Sequence, residues 1–276
     1  MTDRPEESRK NRAARFATLH RGAEPLLLPN AWDAASARII EDAGAHAIAT
    51  TSAGIANVHG YADGNHLPRD LAIAALERIV RAVGVPVSAD VEAGYGATPA
   101  EVCETVRRVI AAGAVGINLE DGTEPPDVLV AKLAAIRDLL ERAGTPLFVN
   151  ARADVYLNGG TGPEALAESL RRAERYVAAG ADGIFVPGVV ASEDIRTLAR
   201  EIPRPLNVLA VPGLPSPAEL ARLGVARLSA GSGPMRAALT HAREVATALL
   251  RDGAYAPFLD GVMTHAEVQA LMAGRG

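Results

Sequence analysis

Several things are missing from this chain. Cys103 is the only cysteine among its 276 residues, so no internal disulfide can form. Its setting, Glu101-Val102-Cys103-Glu104-Thr105-Val106, is helical in pattern, with no His or carboxylate identifiably paired with the thiol; it reads as packed rather than nucleophilic. Charge is nearly balanced, with 28 Lys+Arg against 33 Asp+Glu and a net charge of −5; no basic stretch is dense enough for a phosphate-backbone partner. No run is long and apolar enough to span a bilayer, and Met1 to Lys10 lack the apolar segment of an export signal. No low-complexity linker divides the chain, and no nucleophile triad can be assembled. A cytoplasmic enzyme fits these absences.

What is present has the rhythm of an α/β protein. Helix-like stretches end in Gly and lead into short runs of Val, Ile and Leu. Ala43-Gly44-Ala45, Ala112-Gly113-Ala114 and Ala179-Gly180-Ala181 are near copies, and Gly84, Gly144 and Gly224 hold equivalent places. Such glycines can end helices in the left-handed conformation. Strands are expected near 26–28, 47–51, 87–91, 116–120, 147–152, 183–186, 206–209 and 226–229. Alternation of helix and buried strand indicates βα units and a parallel sheet. About eight such units in a chain near the usual barrel length favour one closed (β/α)8 TIM barrel over residues 1–276. Helices from about 232 extend beyond the eighth unit, to pack on another subunit or cap the barrel. An open doubly wound sheet would call for a Gly-rich phosphate turn after the first strand; Pro29-Asn30-Ala31-Trp32-Asp33 stands there instead. Leu214-Pro215-Ser216-Pro217 reads as a loop entering a helix, with Ser216 as N-cap and Pro217 at the first helical position.

Barrel chemistry gathers at the C-terminal ends of strands. In Pro86-Val87-Ser88-Ala89-Asp90-Val91-Glu92, side chains two apart share a strand face, so Asp90 and Glu92 are expected to point the same way. Two buried negative charges call for a cation. The next strand ends in Asn118-Leu119-Glu120-Asp121, with Glu120 read as inward and Asp121 as bracing the loop; the one after ends in Asn150-Ala151-Arg152. Acids on neighbouring strands followed by an Arg suit a divalent cation bound to an anion, and oxygen-only donors suit Mg²⁺ or Mn²⁺. Rim ion pairing is the competing reading of these charges. Arg152 can clamp a substrate carboxylate in bidentate fashion, pair with Glu120 or Asp90, or do both. Thr51-Ser52-Ala53-Gly54 is small enough for backbone N–H groups to approach an oxyanion, although turns use the same residues. Trp32 reads as a wall or core residue, and Tyr95, between Gly94 and Gly96, reaches or covers the pocket. His46 reads as a packing residue, His59 and His66 as solvated.

Taken together, Pro29-Asn30-Ala31-Trp32-Asp33-Ala34-Ala35-Ser36-Ala37, Thr51-Ser52-Ala53-Gly54, Asp90-Val91-Glu92-Ala93-Gly94-Tyr95-Gly96, Asn118-Leu119-Glu120-Asp121 and Ala151-Arg152 resemble the isocitrate lyase/phosphoenolpyruvate mutase superfamily. The resemblance implies a (β/α)8 barrel, usually a tetramer exchanging a C-terminal helix, with Mg²⁺ and a 2-oxo acid or its enol as the common chemical thread. It implies that Asp90, Glu92 and Glu120 hold the metal, partly through water. Thr51, Ser52 and Ala53 would cradle the substrate carboxylate, with Trp32 and Asp90 alongside. Arg152 would bind substrate oxygens, and Asp63, rather than Asp70, best matches the acid after the second strand. Asp63, Glu120 and Arg152 would then form the reacting centre.

One departure narrows the activity. Isocitrate and methylisocitrate lyases carry a Lys-x-Cys-Gly-His loop, whereas Gly122-Thr123-Glu124-Pro125-Pro126-Asp127 offers no Cys, Lys or His. The expectation is a Mg²⁺-dependent lyase or decarboxylase acting on a small, oxaloacetate-sized 2-oxo acid through an enolate, in a homodimer or homotetramer. Carbon–phosphorus cleavage of a phosphonate and a non-catalytic 2-oxo acid binding protein are the alternatives.

Overall fold

The computed structural model describes residues 8–273. Its elements begin with α1 (Arg9–Leu19), β1 (Leu26–Leu28), β2 (Asn30–Ala31), α2 (Ala34–Asp42), β3 (Ile48–Thr50), α3 (Ser52–Val58) and α4 (Arg69–Ala82). The middle comprises β4 (Val87–Asp90), α5 (Pro99–Ala111), β5 (Gly116–Glu120), α6 (Pro126–Ala143), β6 (Phe148–Arg152) and α7 (Gly162–Ala178). There follow β7 (Gly183–Phe185), α8 (Ser192–Glu201), β8 (Leu206–Leu209), α9 (Pro217–Leu223) and β9 (Arg227–Ser229). Finally come α10 (Gly233–Asp252), a 3₁₀ turn at Ala256–Phe258, and α11 (His265–Ala273).

All strand pairs are parallel, in the order β1-β9-β8-β7-β6-β5-β4-β3-β2. The two terminal strands, β1 and β2, are one stretch of chain interrupted at Pro29. Leu26–Leu28 pairs with β9 and Asn30–Ala31 pairs with β3, so this single segment nearly closes the ring. Among the described residues the expected eight-fold (β/α) barrel is thus seen as nine parallel strands, because proline has no N–H to continue a ladder. Ser216 caps α9 with Pro217 in its first turn, as the sequence indicated. Thr98 and Glu101 cap α5 reciprocally, with Pro99 in the first turn. Of the helix-ending glycines, Gly144 and Gly224 are left-handed C-caps. Gly84 is not: α4 ends at an extended Val83, and the Gly84 N–H donates to Glu41 Oε1 at 2.7 Å.

Outward-facing strand residues such as Ile117, Leu119, Val149 and Ile184 are buried with Leu129, Leu133 and Ile136 of α6 in the main core. The inward-facing set differs at its two ends. At the N-terminal end α1 plugs the barrel, with Phe16 fully buried beside Phe148, Leu26, Leu28, Ala47 and Ala49. Gly116 makes room for it, since a Cβ there would lie 2.8 Å from the Phe16 ring. Above this layer the interior turns polar: Asn118, Asn150, Asn207, Arg227 and Ser229 are all buried. Beyond β9, α10 buries only Met235, whereas α11 lies on α2, where Arg38 Nε and Nη2 donate to Leu271 O at 2.9 and 2.7 Å.

Candidate active site at the C-terminal ends of the strands

Asp90 closes β4 and pairs in register with Asn118 on β5. Its backbone N–H donates to Thr50 Oγ1 at 2.9 Å. Its Oδ2 accepts both the N–H (3.2 Å) and the Oγ (2.9 Å) of Ser52 at the start of α3. Its Oδ1 is buried without a hydrogen-bond partner among the described residues. The Ser52 hydroxyl also lies 3.4 Å from Asp63 Oδ1, which brings Asp63 to the rim of the same site. Asp70 sits instead in the first turn of α4, paired with Arg108.

Glu92 departs from the strand reading. The strand ends at Asp90, and Glu92 adopts φ 51°, so the shared face of a continuing strand does not apply. Its carboxylate instead accepts the Asn65 N–H and the Tyr95 hydroxyl, the latter at 3.0 Å. Tyr95 also has positive φ, at 50°, making this turn a concentration of uncommon backbone. The turn is held from outside. Lys132 Nζ donates to Ala93 O at 2.8 Å and Thr105 Oγ1 to Gly94 O at 2.8 Å. A Cβ on Gly94 would meet Val102 at 2.7 Å, so only glycine allows that approach. Burial raises the Glu92 pKa, with Asp90 and Asp63 adding to the rise and the Asn65 and Tyr95 hydrogen bonds opposing it.

Glu120 and Arg152 are register partners at the ends of β5 and β6, and Arg152 Nη1 lies 2.5 Å from Glu120 Oε2. Arg152 also grips Asp154 through Nε (2.6 Å) and Nη2 (2.9 Å), and lies 5.9 Å from the Phe185 ring centroid. Pairing with Glu120 is therefore realised, and the bidentate partner is Asp154, a residue the sequence reading did not single out. The alternation in Arg152-Ala153-Asp154 was its only available signal. Burial lifts the Glu120 pKa to about 8; Arg152 opposes the rise, while Asp90, Asp154 and Glu92 add to it. Asp121 faces the other way, as expected. It accepts from the Asp154 N–H (2.9 Å), Arg172 Nη1 (2.8 Å) and the Tyr176 hydroxyl (2.6 Å), locking the loop after β5 to the segment after β6.

The small-residue segment is partly committed. Thr51 Oγ1 accepts the Gly54 N–H as the N-cap of α3, and the Ser52 N–H is held by Asp90. Ala53 contributes its carbonyl to Asn57 Nδ2. Trp32 packs on Gly54, where a Cβ would lie 2.7 Å from the Trp32 Cβ, placing the indole beside this segment. The histidines are elsewhere in role: His59 Nδ1, for example, bonds its own helix at Ile55 O.

The donors suit a hard cation in their chemistry: carboxylate oxygens, one of them a buried and unpartnered Asp90 Oδ1, among several like charges. Among the described residues, however, no three His, Cys, Asp or Glu side chains form a ready cage for one ion. The reason is visible: Glu120 is drawn to Arg152, and Glu92 to Asn65 and Tyr95.

A family model described as phosphoenolpyruvate phosphomutase matches residues 16–250, most of the chain. The chain belongs to the isocitrate lyase/phosphoenolpyruvate mutase superfamily. Within that superfamily, an uncharacterised protein of Mycobacterium tuberculosis (strain H37Rv) is 38% identical over 92% of this chain and 95% of its own length. The 2,3-dimethylmalate lyase of Eubacterium barkeri is 29% identical, covering 95% of this chain and 94% of that one. A crystal structure of 2,3-dimethylmalate lyase superposes with a TM-score of 0.83 at 28% identity, over 95% of this chain and 94% of that chain. An oxaloacetate decarboxylase of Rhodopseudomonas palustris (strain HaA2) is 32% identical over 68% of this chain and 67% of its own. The protein is thus an enzyme of a superfamily whose members include lyases, a decarboxylase and mutases. Among the described residues no helix is long and apolar enough to cross a membrane.

Proposed function

We propose that this superfamily member is a Mg²⁺-dependent lyase of decarboxylase type, acting on a small 2-oxo dicarboxylate the size of oxaloacetate. The observation that carries the reading is the row Asp90, Glu120 and Arg152 at the ends of β4, β5 and β6, with Asp154 just beyond β6 and one buried Asp90 oxygen left without a partner among the described residues. Asp90 would hold the cation directly, and Glu92 and Glu120 through water, since Mg²⁺ keeps several waters and uses one or two carboxylates. When bound, the ion supplies Lewis-acid polarisation of a 2-oxo group. The likeness to an oxaloacetate decarboxylase and a 2,3-dimethylmalate lyase supports the reaction class.

In this reading Arg152 binds and orients the substrate carboxylate. Asp154 fixes the guanidinium from its far side through two hydrogen bonds, which limits its rotation. Breaking the bond between C3 and its carboxylate leaves the electron pair on the 2-oxo group as an enolate and releases CO₂. Arg152 neutralises part of that charge. Asp63, at the exposed rim and within reach of Ser52, is placed to deliver the proton that C3 takes up to give the product 2-oxo acid.

The reading is tested by adding oxaloacetate with and without Mg²⁺ and following CO₂ and pyruvate. Metal-dependent turnover is expected; phosphate release from phosphonopyruvate in its place would move the protein to carbon–phosphorus cleavage. The exposed Leu239, Leu249, Leu250, Tyr255, Phe258 and Leu259 support the further proposal that the chain works as a homo-oligomer through its C-terminal helices. Sedimentation as a monomer at micromolar concentration would refute that part.

A further inference from the structure

Arg227 has no part in the chemistry above, yet it occupies the middle of the barrel. It is 1% exposed, and its guanidinium reaches from β9 across the interior to β5. Nε donates to Ser229 Oγ at 3.2 Å and Nη2 to Asn118 Oδ1 at 3.2 Å; Nη1 is buried without a partner among the described residues. These contacts are neutral and lie in a neutral network. Asn118 Oδ1 also accepts from Asn150 Nδ2 at 2.9 Å, and Ser229 Oγ donates to Asn207 Oδ1 at 3.1 Å. A buried cation resting on neutral groups is a costly way to fill a core, and apolar residues commonly do so at lower free energy.

The charge is felt at both ends of the barrel. Burial brings the Arg227 pKa down to about 9, with Asp90 acting against the fall, so the group remains charged at neutral pH. At the opposite end the same charge adds to burial in lowering the pKa of His20. Asn118, which Arg227 holds, is the register neighbour of Asp90. Among the described residues the mouth gathers Asp90, Glu92 and Asp154, with the Glu120 pKa raised to about 8, around the Arg152 cation. A dianionic substrate entering there passes these carboxylates, so positive charge beneath the mouth adds to what Arg152 and the bound divalent ion would supply.

We propose that Arg227 is a positioning residue whose charge, set beneath the mouth and shielded from water, draws the anionic substrate into the pocket while weakening the hold of the same pocket on a divalent cation. The inference deepens the 2-oxo acid reading and rests on it. It makes a prediction of opposite signs, which a purely structural role does not.

The full-length protein is titrated calorimetrically with Mn²⁺, and then with oxalate at saturating Mn²⁺. In Arg227→Gln, which loses the charge but keeps a hydrogen-bonding head, Mn²⁺ should bind about ten-fold tighter and oxalate about ten-fold weaker, the scale of a buried unit charge acting across roughly ten ångströms. Arg227→Lys, whose buried amine holds its charge less firmly than a guanidinium, should bring both constants part of the way back toward wild type. Constants that move in the same direction, or do not move, overturn the proposal. Arg227→Met carries the test if the Gln protein does not fold; if neither uncharged variant folds, Arg227 is a structural requirement and the proposal falls. Wild-type protein that binds neither Mn²⁺ nor oxalate would overturn the 2-oxo acid reading itself. Wild-type binding of both, with no split in the variants, removes only the role of Arg227.

Discussion

The two ends of the barrel are built on opposite principles. At the N-terminal end, Phe16 meets Phe148 edge-on at 5.7 Å, and the His20 ring stacks on Phe148 at 4.2 Å. There the chain is apolar and well packed. At the C-terminal end, carboxylates crowd one arginine, an aspartate oxygen lacks a partner among the described residues, and two non-glycine residues of one turn have positive φ. Strain and like-charge repulsion persist only where the surroundings hold them in place. Here Lys132, Thr105 and the Asp121 cluster do so. The contrast suggests that stability and chemistry are divided between the two ends and can be perturbed separately.

The strongest way to sharpen that division is Asp90→Ala. Metal-dependent turnover should fall at least about a thousand-fold, equivalent to about 4 kcal/mol of transition-state stabilisation. The urea midpoint should hold or rise, because a half-buried charge among like charges is removed. Full activity in this variant would exclude Asp90 from the reaction. Phe16→Ala is the mirror experiment. It should remove about 3–5 kcal/mol of stability by opening a cavity under the barrel, while the affinity for Mn²⁺ stays at the wild-type value. If metal affinity falls in step with stability, the two ends are coupled and the contrast fails.

Asp121→Asn probes the boundary between the regions. Asp121 is 2% exposed and accepts three hydrogen bonds, including one from Arg172. Removing its charge should cost about 2 kcal/mol and leave Arg172 without its buried counter-ion. Because the Asp154 N–H is one of the three donors, substrate KM should rise along with the loss of stability. A change in stability alone would show that the brace does not reach Arg152.

Much of this arrangement could be read from sequence because it depends on local rules. Repeated Gly-terminated helices and aliphatic runs disclosed the βα units, and strand ends disclosed Asp90, Glu120 and Arg152. Glu92 shows the limit of such reading. Two-residue periodicity predicts its direction only while the strand lasts, and here a left-handed turn after Asp90 replaces the strand. Asp154 and Arg227 lay beyond reach for a different reason. The first owes its place to a guanidinium held from two sides, and the second to a partner 109 residues away across a closed ring. Closure brings β9 against β1 and sets Arg227 opposite Asn118; no pattern within one strand conveys that.

The smallest effect concerns the apolar end and depends on pH. His20 is 5% exposed, and its Nδ1 lies 2.8 Å from Phe16 O, so the neutral ring carries its proton on Nδ1 and leaves Nε2 bare. Burial first, and then the charge of Arg227, hold its folded pKa at about 3, with the Phe16 carbonyl opposing them. An unfolded chain would take up the proton near pH 6.5. The unfolded state therefore binds protons first as the solution is acidified. This contribution to stability is complete above about pH 6.5 and declines toward pH 3, with a slope approaching 1.4 kcal/mol per pH unit, roughly. His20→Gln has no such group, so the gap in unfolding free energy between wild type and variant should narrow steadily in urea titrations from pH 7 to pH 5. A constant gap would mean that the plug accepts a charged imidazole, and that the N-terminal end of the barrel is less strictly apolar than its packing indicates.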